Sequence, residues 1–273
     1  MAVMVVLAAV LLTYGVSTRI AMAGKFGAVA WAKAGENSVL PLDMAENSVD
    51  DSYSGCEDIM KQKVTQYLQN EKNKDKNFKE VWDSSEKIFY TKFKKWFTKV
   101  LKKDQLVAIY SYTSDKVYRD FNNAVRTQGP QYKTTFGYHA LHFLLTTAIQ
   151  AERAFEKKQC LTGYRRVNVY FRQDVENKSI RFGSFTSASQ GRYASEAFGD
   201  KSCFEIFTCM GADISRYSKY PEEREVLIPP YEVFNVVEIK KRSTMQPNLP
   251  CEVVYKVRST GYVSKLNCAL FMK

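Results

Sequence analysis

The chain has 273 residues, 45% of them apolar and 14% aromatic, which is enough to bury a core in one or two domains. A charged fraction of 25% with regular apolar spacing excludes a disordered or collagen-like chain, and a single long apolar run, at the start, excludes a multi-span membrane protein. Forty Lys and Arg against 29 Asp and Glu leave a net charge of +11, a surface that attracts phosphates and acidic partners without by itself implying nucleic-acid binding.

Met1 to Ala23 reads as a secretory signal. Val3 to Leu12 is nearly all apolar, and Ala21 and Ala23 place small residues where a signal peptidase needs them. Tyr14, Gly15, Ser17, Thr18 and Arg19 end the apolar run short of the roughly 20 residues a membrane span requires. Residues 24–273 are then the exported chain. Export makes Cys56, Cys160, Cys203, Cys209, Cys251 and Cys268 disulfide candidates, and six cysteines allow 15 pairings. The C-terminal residues Leu266 to Lys273 lack the polar spacer and long apolar tail of a lipid-anchor signal, so a secreted protein without a stable membrane anchor is expected. Asn177-Lys178-Ser179 is a glycosylation sequon.

Helical spacing marks the first half. Met60, Val64, Tyr67 and Leu68 form one apolar stripe, and Phe89, Phe93, Trp96, Phe97, Val100 and Leu101 form a second. Ser114 is placed to cap a helix carrying Val117, Tyr118, Phe121 and Val125. Phe136, Ala140, Phe143, Leu144 and Ala148 predict another. The six Lys between Lys92 and Lys103 read as the solvated face of a helix. Near Lys158 the pattern changes to period two. Val167, Val169 and Phe171 alternate with polar positions, Ile180, Phe182 and Phe204 to Cys209 are short β-rich runs, and Val253, Tyr255 and Val257 alternate again. Helices first and strands later predict an α+β fold, with a helical part over about 40–157 and a β-rich part over about 158–273.

Several chemistries lack their motifs. There is no Gly-x-Gly-x-x-Gly, no Gly-x-x-x-x-Gly-Lys and no Gly-x-Ser-x-Gly. His139 and His142 are the only histidines, and no third ligand at zinc spacing accompanies them, so they read as core or helix-surface residues and no metal is expected. Three features of the β-rich half carry chemistry. Arg165, at the start of a strand, presents a guanidinium fork that suits a diphosphate. Ser187 and Ser189 lie two apart and share one face of a strand. Glu223 and Glu225 precede the apolar run Val226-Leu227-Ile228. On an extended chain their carboxylates would point the same way, roughly 7 Å apart, a span that suits chemistry at a sugar carbon.

The order Arg165, Ser187-Ala188-Ser189, Glu223-Arg224-Glu225 and then Pro229-Pro230 resembles the vertebrate ecto-ADP-ribosyltransferases of the arginine-modifying type. The run from Leu42 to Asp51 with Gly55-Cys56, the helical segments Tyr112-Thr113, Tyr118 to Arg126 and His142 to Leu145, and Arg181-Phe182-Gly183 extend the resemblance over almost all of residues 24–273. It implies one catalytic domain, a helical lobe packed on a two-sheet β core, with NAD as co-substrate and proteins with accessible arginines as acceptors. Arg165 would hold the NAD phosphates. Ser187 would orient the ribose and the catalytic carboxylate. Glu225 would bond the ribose 2′-hydroxyl and stabilise the oxocarbenium ion, and Glu223 would deprotonate the acceptor guanidinium. Tyr112, Ser184 and Ser218 are further candidates for the NAD cleft. The resemblance also implies Cys56–Cys268 and Cys160–Cys209 bridges, and leaves Cys203 and Cys251 as a third bridge or free thiols. Arg166 stands where some members have Gly, which would strengthen phosphate binding or crowd the cleft. NAD glycohydrolase activity and a silent binding protein are the competing functions.

Overall fold

The computed structural model describes residues 39–93, 100–157 and 159–272. The expected signal segment lies outside them, as do Lys94, Lys95 and Lys99 of the lysine-rich stretch. A two-residue strand, β1 (Val39–Leu40), leads into five helices: α1 (Glu57–Lys74), α2 (Lys76–Ile88), α3 (Lys103–Tyr112), α4 (Asp115–Thr127) and α5 (His139–Phe155). The strands follow: β2 (Leu161–Val167), β3 (Tyr170–Phe171), β4 (Ser179–Ile180), β5 (Thr186–Gln190), β6 (Ser202–Thr208), β7 (Ala212–Asp213), β8 (Glu225–Ile228), β9 (Glu232–Lys241) and β10 (Val253–Tyr262). The change of texture near Lys158 is thus the junction between a helical and a strand-rich half.

Local chemistry sets the helix ends. Asp75 caps α2 by accepting from the Phe78 amide at 3.0 Å. The start of α5 is capped from outside. The buried Glu71 carboxyl, on the last turn of α1, accepts from the Ala140 and Leu141 amides at 2.6 and 3.3 Å. Burial pushes this carboxyl up to about 8. The helix expected through Phe89 to Leu101 is not α-helical where it is described, and its Trp96 and Phe97 lie outside the described residues. α2 stops at Ile88 and a π-helical turn occupies Phe89–Phe93. There the Thr91 hydroxyl bonds back to the Ile88 carbonyl at 3.1 Å, competing with the α-helical pattern. Ser114 sits at the cap position of α4 in extended conformation, without a side-chain cap bond.

Eight strands form one sheet in the order β4-β9-β10-β6-β2-β5-β8-β7, with β10 and β6 parallel, and β1 pairs with β3 in a second, two-stranded sheet. The strand expected across Arg166 to Phe171 is broken at Asn168-Val169. One core cluster joins the helices to Phe185, Ala212 and Leu227 of the strand-rich half. A second lies among Val167, Phe204, Ile206, Phe234 and Tyr255. The segment from Leu42 to Asp51 straps the two halves together. Arg181 pairs with Asp50 at 2.6 Å in full burial and donates to the Met44, Ala45 and Val263 carbonyls. Gly183 has φ +69°, and a Cβ there would lie 2.4 Å from that of Ala45, so glycine is required where the strap crosses. Arg181-Phe182-Gly183 is therefore a structural signature.

All six cysteines are bridged. Cys56–Cys268 ties the start of α1 to the C-terminal tail, Cys160–Cys209 joins the entry of β2 to the exit of β6, and Cys203–Cys251 forms as a third bridge.

Candidate active site

The cleft begins where two strands part. β2 and β5 share only the pairs Gly163–Gln190 and Tyr164–Ser189 before they diverge. At the opening the buried Arg165 donates from Nη1 to the Ser187 carbonyl at 2.5 Å and from Nη2 to the Tyr118 hydroxyl at 3.4 Å. β5 pairs with β8 on its other edge, with Ser187 opposite Leu227 and Ser189 opposite Glu225. The Ser187 hydroxyl donates to Glu225 Oε1 at 2.6 Å. Ser218 Oγ lies 3.5 Å from Glu225 Oε2, and the Tyr112 hydroxyl lies 3.4 Å from Ser187 Oγ. Ser187, Glu225, Ser218 and Tyr112 are all fully buried. Burial, with the neighbouring Tyr118 and Glu225, holds the Tyr112 phenol well above its usual range, so it stays a neutral donor, here to the Phe185 carbonyl at 3.1 Å.

Arg165 and Ser184 line a tight cavity together with three residues that sequence reasoning did not single out for the site: Tyr118, Asn122 and Arg126 of α4. They recur every four residues, so the helix presents them along one stripe. That stripe, beside the apolar Val117, Phe121 and Val125, was the available signal. Arg126 donates to the Ser184 hydroxyl at 2.6 Å and to the Phe182 carbonyl. Burial pulls the Arg126 guanidinium down to about 10, and the nearby Arg165 cation adds to the effect, which leaves it charged at neutral pH. The buried Arg165 and the half-buried Arg126, held on carbonyl and hydroxyl oxygens, set two cations side by side, an arrangement that could take a polyanion.

Glu223 departs from its expected geometry. Pro221–Glu223 is a 3-10 turn, and Arg224 follows in the left-handed region at φ 47°. The two glutamates are therefore presented by a turn and a strand end, not by one extended run. Proline at the start of the turn and the 3-10 bond from the Arg224 amide to the Pro221 carbonyl fix this shape. The Ser189 hydroxyl donates to the Glu223 carbonyl at 2.8 Å, which ties the turn to β5. Ser189, Glu222 and Glu223 line a second pocket of about 410 Å³ together with Tyr193, Glu196 and Phe198.

Residues 42–249 match the family described as NAD:arginine ADP-ribosyltransferase. The chain belongs to that family. It is 34% identical over 242 residues to mouse GPI-linked NAD(P)(+)--arginine ADP-ribosyltransferase 1, covering 84% of this chain and 72% of the relative. It is 33% identical over 247 residues to the chicken erythroblast NAD(P)(+)--arginine ADP-ribosyltransferase, covering 88% and 79%. The fold is similar to that of the mono-ADP-ribosyltransferase ART2.2, with TM-score 0.70 and 30% identity over 85% of this chain and all of that one. A mutant of ART2.2 in complex with NAD matches with TM-score 0.67 and 29% identity over the same shares. The α+β architecture anticipated from the helix and strand periodicities is thus that of an ADP-ribosyltransferase.

The two histidines are core groups. His142 is enclosed, with Nδ1 2.9 Å from the Tyr53 hydroxyl and Nε2 3.0 Å from the Val49 carbonyl, and burial pulls it down to about 3. Burial pulls His139 down to about 4. Asp51 lies near Cys56 and Cys268, but those sulfurs form a disulfide and are not thiolate ligands.

Proposed function

We propose that this protein transfers ADP-ribose from NAD to arginine side chains of proteins, releasing nicotinamide, with its active site in the cleft between β2, β5 and β8. The observation that carries the reading is the bond from Ser187 to the buried Glu225 carboxylate, at a point where Ser187 also receives Arg165. In this reading Arg165, with Arg126 and Ser184, holds the diphosphate of NAD, while Tyr112 and Ser218 border the nicotinamide-ribose end. The bond from C1′ of that ribose to the nicotinamide nitrogen breaks, and nicotinamide leaves with the electron pair. Positive charge grows on C1′ and O4′. The Glu225 carboxylate, already oriented by Ser187, stabilises that charge more in the transition state than in the ground state. An arginine guanidinium has a pKa above 12 and is a poor nucleophile until a proton is removed. Glu223 accepts that proton as the guanidine nitrogen bonds C1′.

The acceptors are proteins with accessible arginines. The location is extracellular-facing, and release as a secreted protein is part of the proposal. Three disulfides among the described residues suit an oxidising compartment. Several relatives carry the words ecto or GPI-linked in their names. The exposed Asn177, in a left-handed turn before β4, is open to glycosylation.

The test is incubation of the protein with NAD and agmatine, followed by mass spectrometry. ADP-ribosyl-agmatine and nicotinamide are expected. Free ADP-ribose alone would make the protein a glycohydrolase, and intact NAD would make it a catalytically silent binder.

A further inference from the structure

Asn122 is a buried amide on α4 with no part in the reaction described above. Among the described residues its side chain makes one hydrogen bond: Nδ2 donates to the Tyr112 hydroxyl at 3.2 Å. The Tyr112 ring, at the end of α3, is held edge-on by Tyr118, Phe121 and Phe185, with ring centres 5.3, 6.1 and 6.2 Å away. Its hydroxyl lies 3.1 Å from the Phe185 carbonyl and 3.4 Å from Ser187 Oγ. Ser187 Oγ in turn lies 2.6 Å from Glu225 Oε1. Asn122 is 1% exposed and Tyr112, Ser187 and Glu225 are fully enclosed, so the row runs from the helical half to the candidate catalytic carboxylate in full burial.

Counting hydrogens gives this row a direction. An amide nitrogen only donates, and a carbonyl or carboxylate oxygen only accepts. The phenol and the serine each carry one hydrogen and an oxygen that accepts. Burial holds the Tyr112 phenol well above its usual range, so its hydrogen is retained. With Asn122 donating to the Tyr112 oxygen, the phenolic hydrogen points away from α4, and the Phe185 carbonyl receives it. The Ser187 hydroxyl has two oxygens in reach, those of Tyr112 and Glu225. The Tyr112 oxygen already accepts from Asn122 and is the poorer acceptor of the two. The serine hydrogen therefore goes to Glu225. Without the amide, the Tyr112 oxygen becomes an empty acceptor 3.4 Å from Ser187 Oγ and competes for that hydrogen. Bonds linked in this way also polarise one another in a water-free setting.

We propose that Asn122 is a positioning residue for Glu225: by filling the acceptor side of the Tyr112 hydroxyl, it commits the Ser187 hydrogen to the carboxylate. This rests on the reading of Glu225 as the group that stabilises the oxocarbenium ion. Stability alone does not call for an amide here, because an apolar side chain of the same shape in place of a buried polar group is close to neutral.

The test compares wild type with Asn122→Leu, which keeps the size and removes the donor. Asn122→Ala carries the test if the leucine variant does not fold. Nicotinamide release at varied NAD gives kcat and KM for each variant, alone and combined with Ser187→Ala. Each should lower kcat about threefold or more, the effect of one neutral hydrogen bond, with the KM for NAD within about twofold of wild type. Added to Ser187→Ala, each should change kcat by less than about 1.5-fold, because the hydrogen that Asn122 commits is already gone. A merely structural amide would lower kcat by one factor in both backgrounds, or not at all. Either of those results would overturn the inference. So would a KM for NAD that rises more than kcat falls, which would make Asn122 a contact to NAD. Failure of both variants to fold would do the same, since Asn122 would then be a folding residue. Wild-type protein that releases no nicotinamide would sink the proposed function and this inference with it. Active wild type with equally active variants sinks the Asn122 inference alone.

Discussion

Replacing Ser187 by alanine removes one hydroxyl and leaves the strand intact. The Ser187 carbonyl still receives Arg165, so the phosphate side of the cleft keeps its arrangement. What is lost is the 2.6 Å bond to Glu225 Oε1, in a fully buried setting where water does not replace it. Hydrogen bonds to charged groups contribute about 1.5–3 kcal/mol. If that orientation is used fully in the transition state, kcat falls about 10- to 150-fold, at about 1.4 kcal/mol per factor of ten. The KM for NAD should change little. The assay is nicotinamide release at saturating NAD, with and without agmatine, at 25 °C. Both rates should fall by the same factor, because the proposed function has Glu225 serve the cleavage step common to transfer and hydrolysis. A kcat within threefold of wild type would refute the reasoning and make the Ser187–Glu225 bond merely structural.

Three further outcomes follow from the same geometry. Arg165→Lys keeps the charge but loses the fork that reaches Ser187 and Tyr118, so calorimetry should show NAD affinity at least tenfold weaker, and unchanged affinity would remove Arg165 from the phosphate site. Glu71 keeps its proton in the folded chain up to about pH 8 but loses it near 4.5 when unfolded, so folding takes up a proton between those values and this group's contribution to stability declines as pH rises. Glu71→Gln should therefore gain on wild type in denaturant titrations from pH 5 to 8, up to a ceiling of about 5 kcal/mol, and a pH-independent difference would contradict the buried-carboxyl account. Serine at both Cys203 and Cys251 opens a loop with a separation of 48 residues, which the chain-entropy description places at about 4 kcal/mol; non-reducing peptide mapping that pairs either cysteine elsewhere would refute the bridge.

That Arg165, Ser187 and Glu225 form one cluster was legible because it depends on residue type and order along strands. Arg165, Ser187 and Glu225 are brought together by neighbouring strands, and period-two alternation is visible in a sequence. Glu223 was legible as a residue but not as a geometry. Its turn depends on Pro221 and on the left-handed Arg224, which an arginine adopts only when its surroundings impose it. Arg126 was hidden for a different reason. Its part in the cavity requires α4 to lie against Phe182 and Ser184, a long-range contact that no local pattern encodes. Likewise Glu71 looks like one more charge on an exposed helix until α5 is seen to begin above it. Cys203–Cys251 could not be chosen by counting, since pairing follows the register of β6 beside β10.

The proposed function divides its steps between two glutamates that have one residue between them. Glu225→Gln and Glu223→Gln, each incubated with NAD and agmatine, can be scored for ADP-ribosyl-agmatine and for free ADP-ribose by mass spectrometry. Glu225→Gln should lose both products by at least a hundredfold, because the proposed function sets that charge against the oxocarbenium ion. Glu223→Gln should lose transfer to agmatine while still releasing nicotinamide, with water as the acceptor. Equal loss of both products in Glu223→Gln would contradict the account and place Glu223 in the NAD-cleaving machinery.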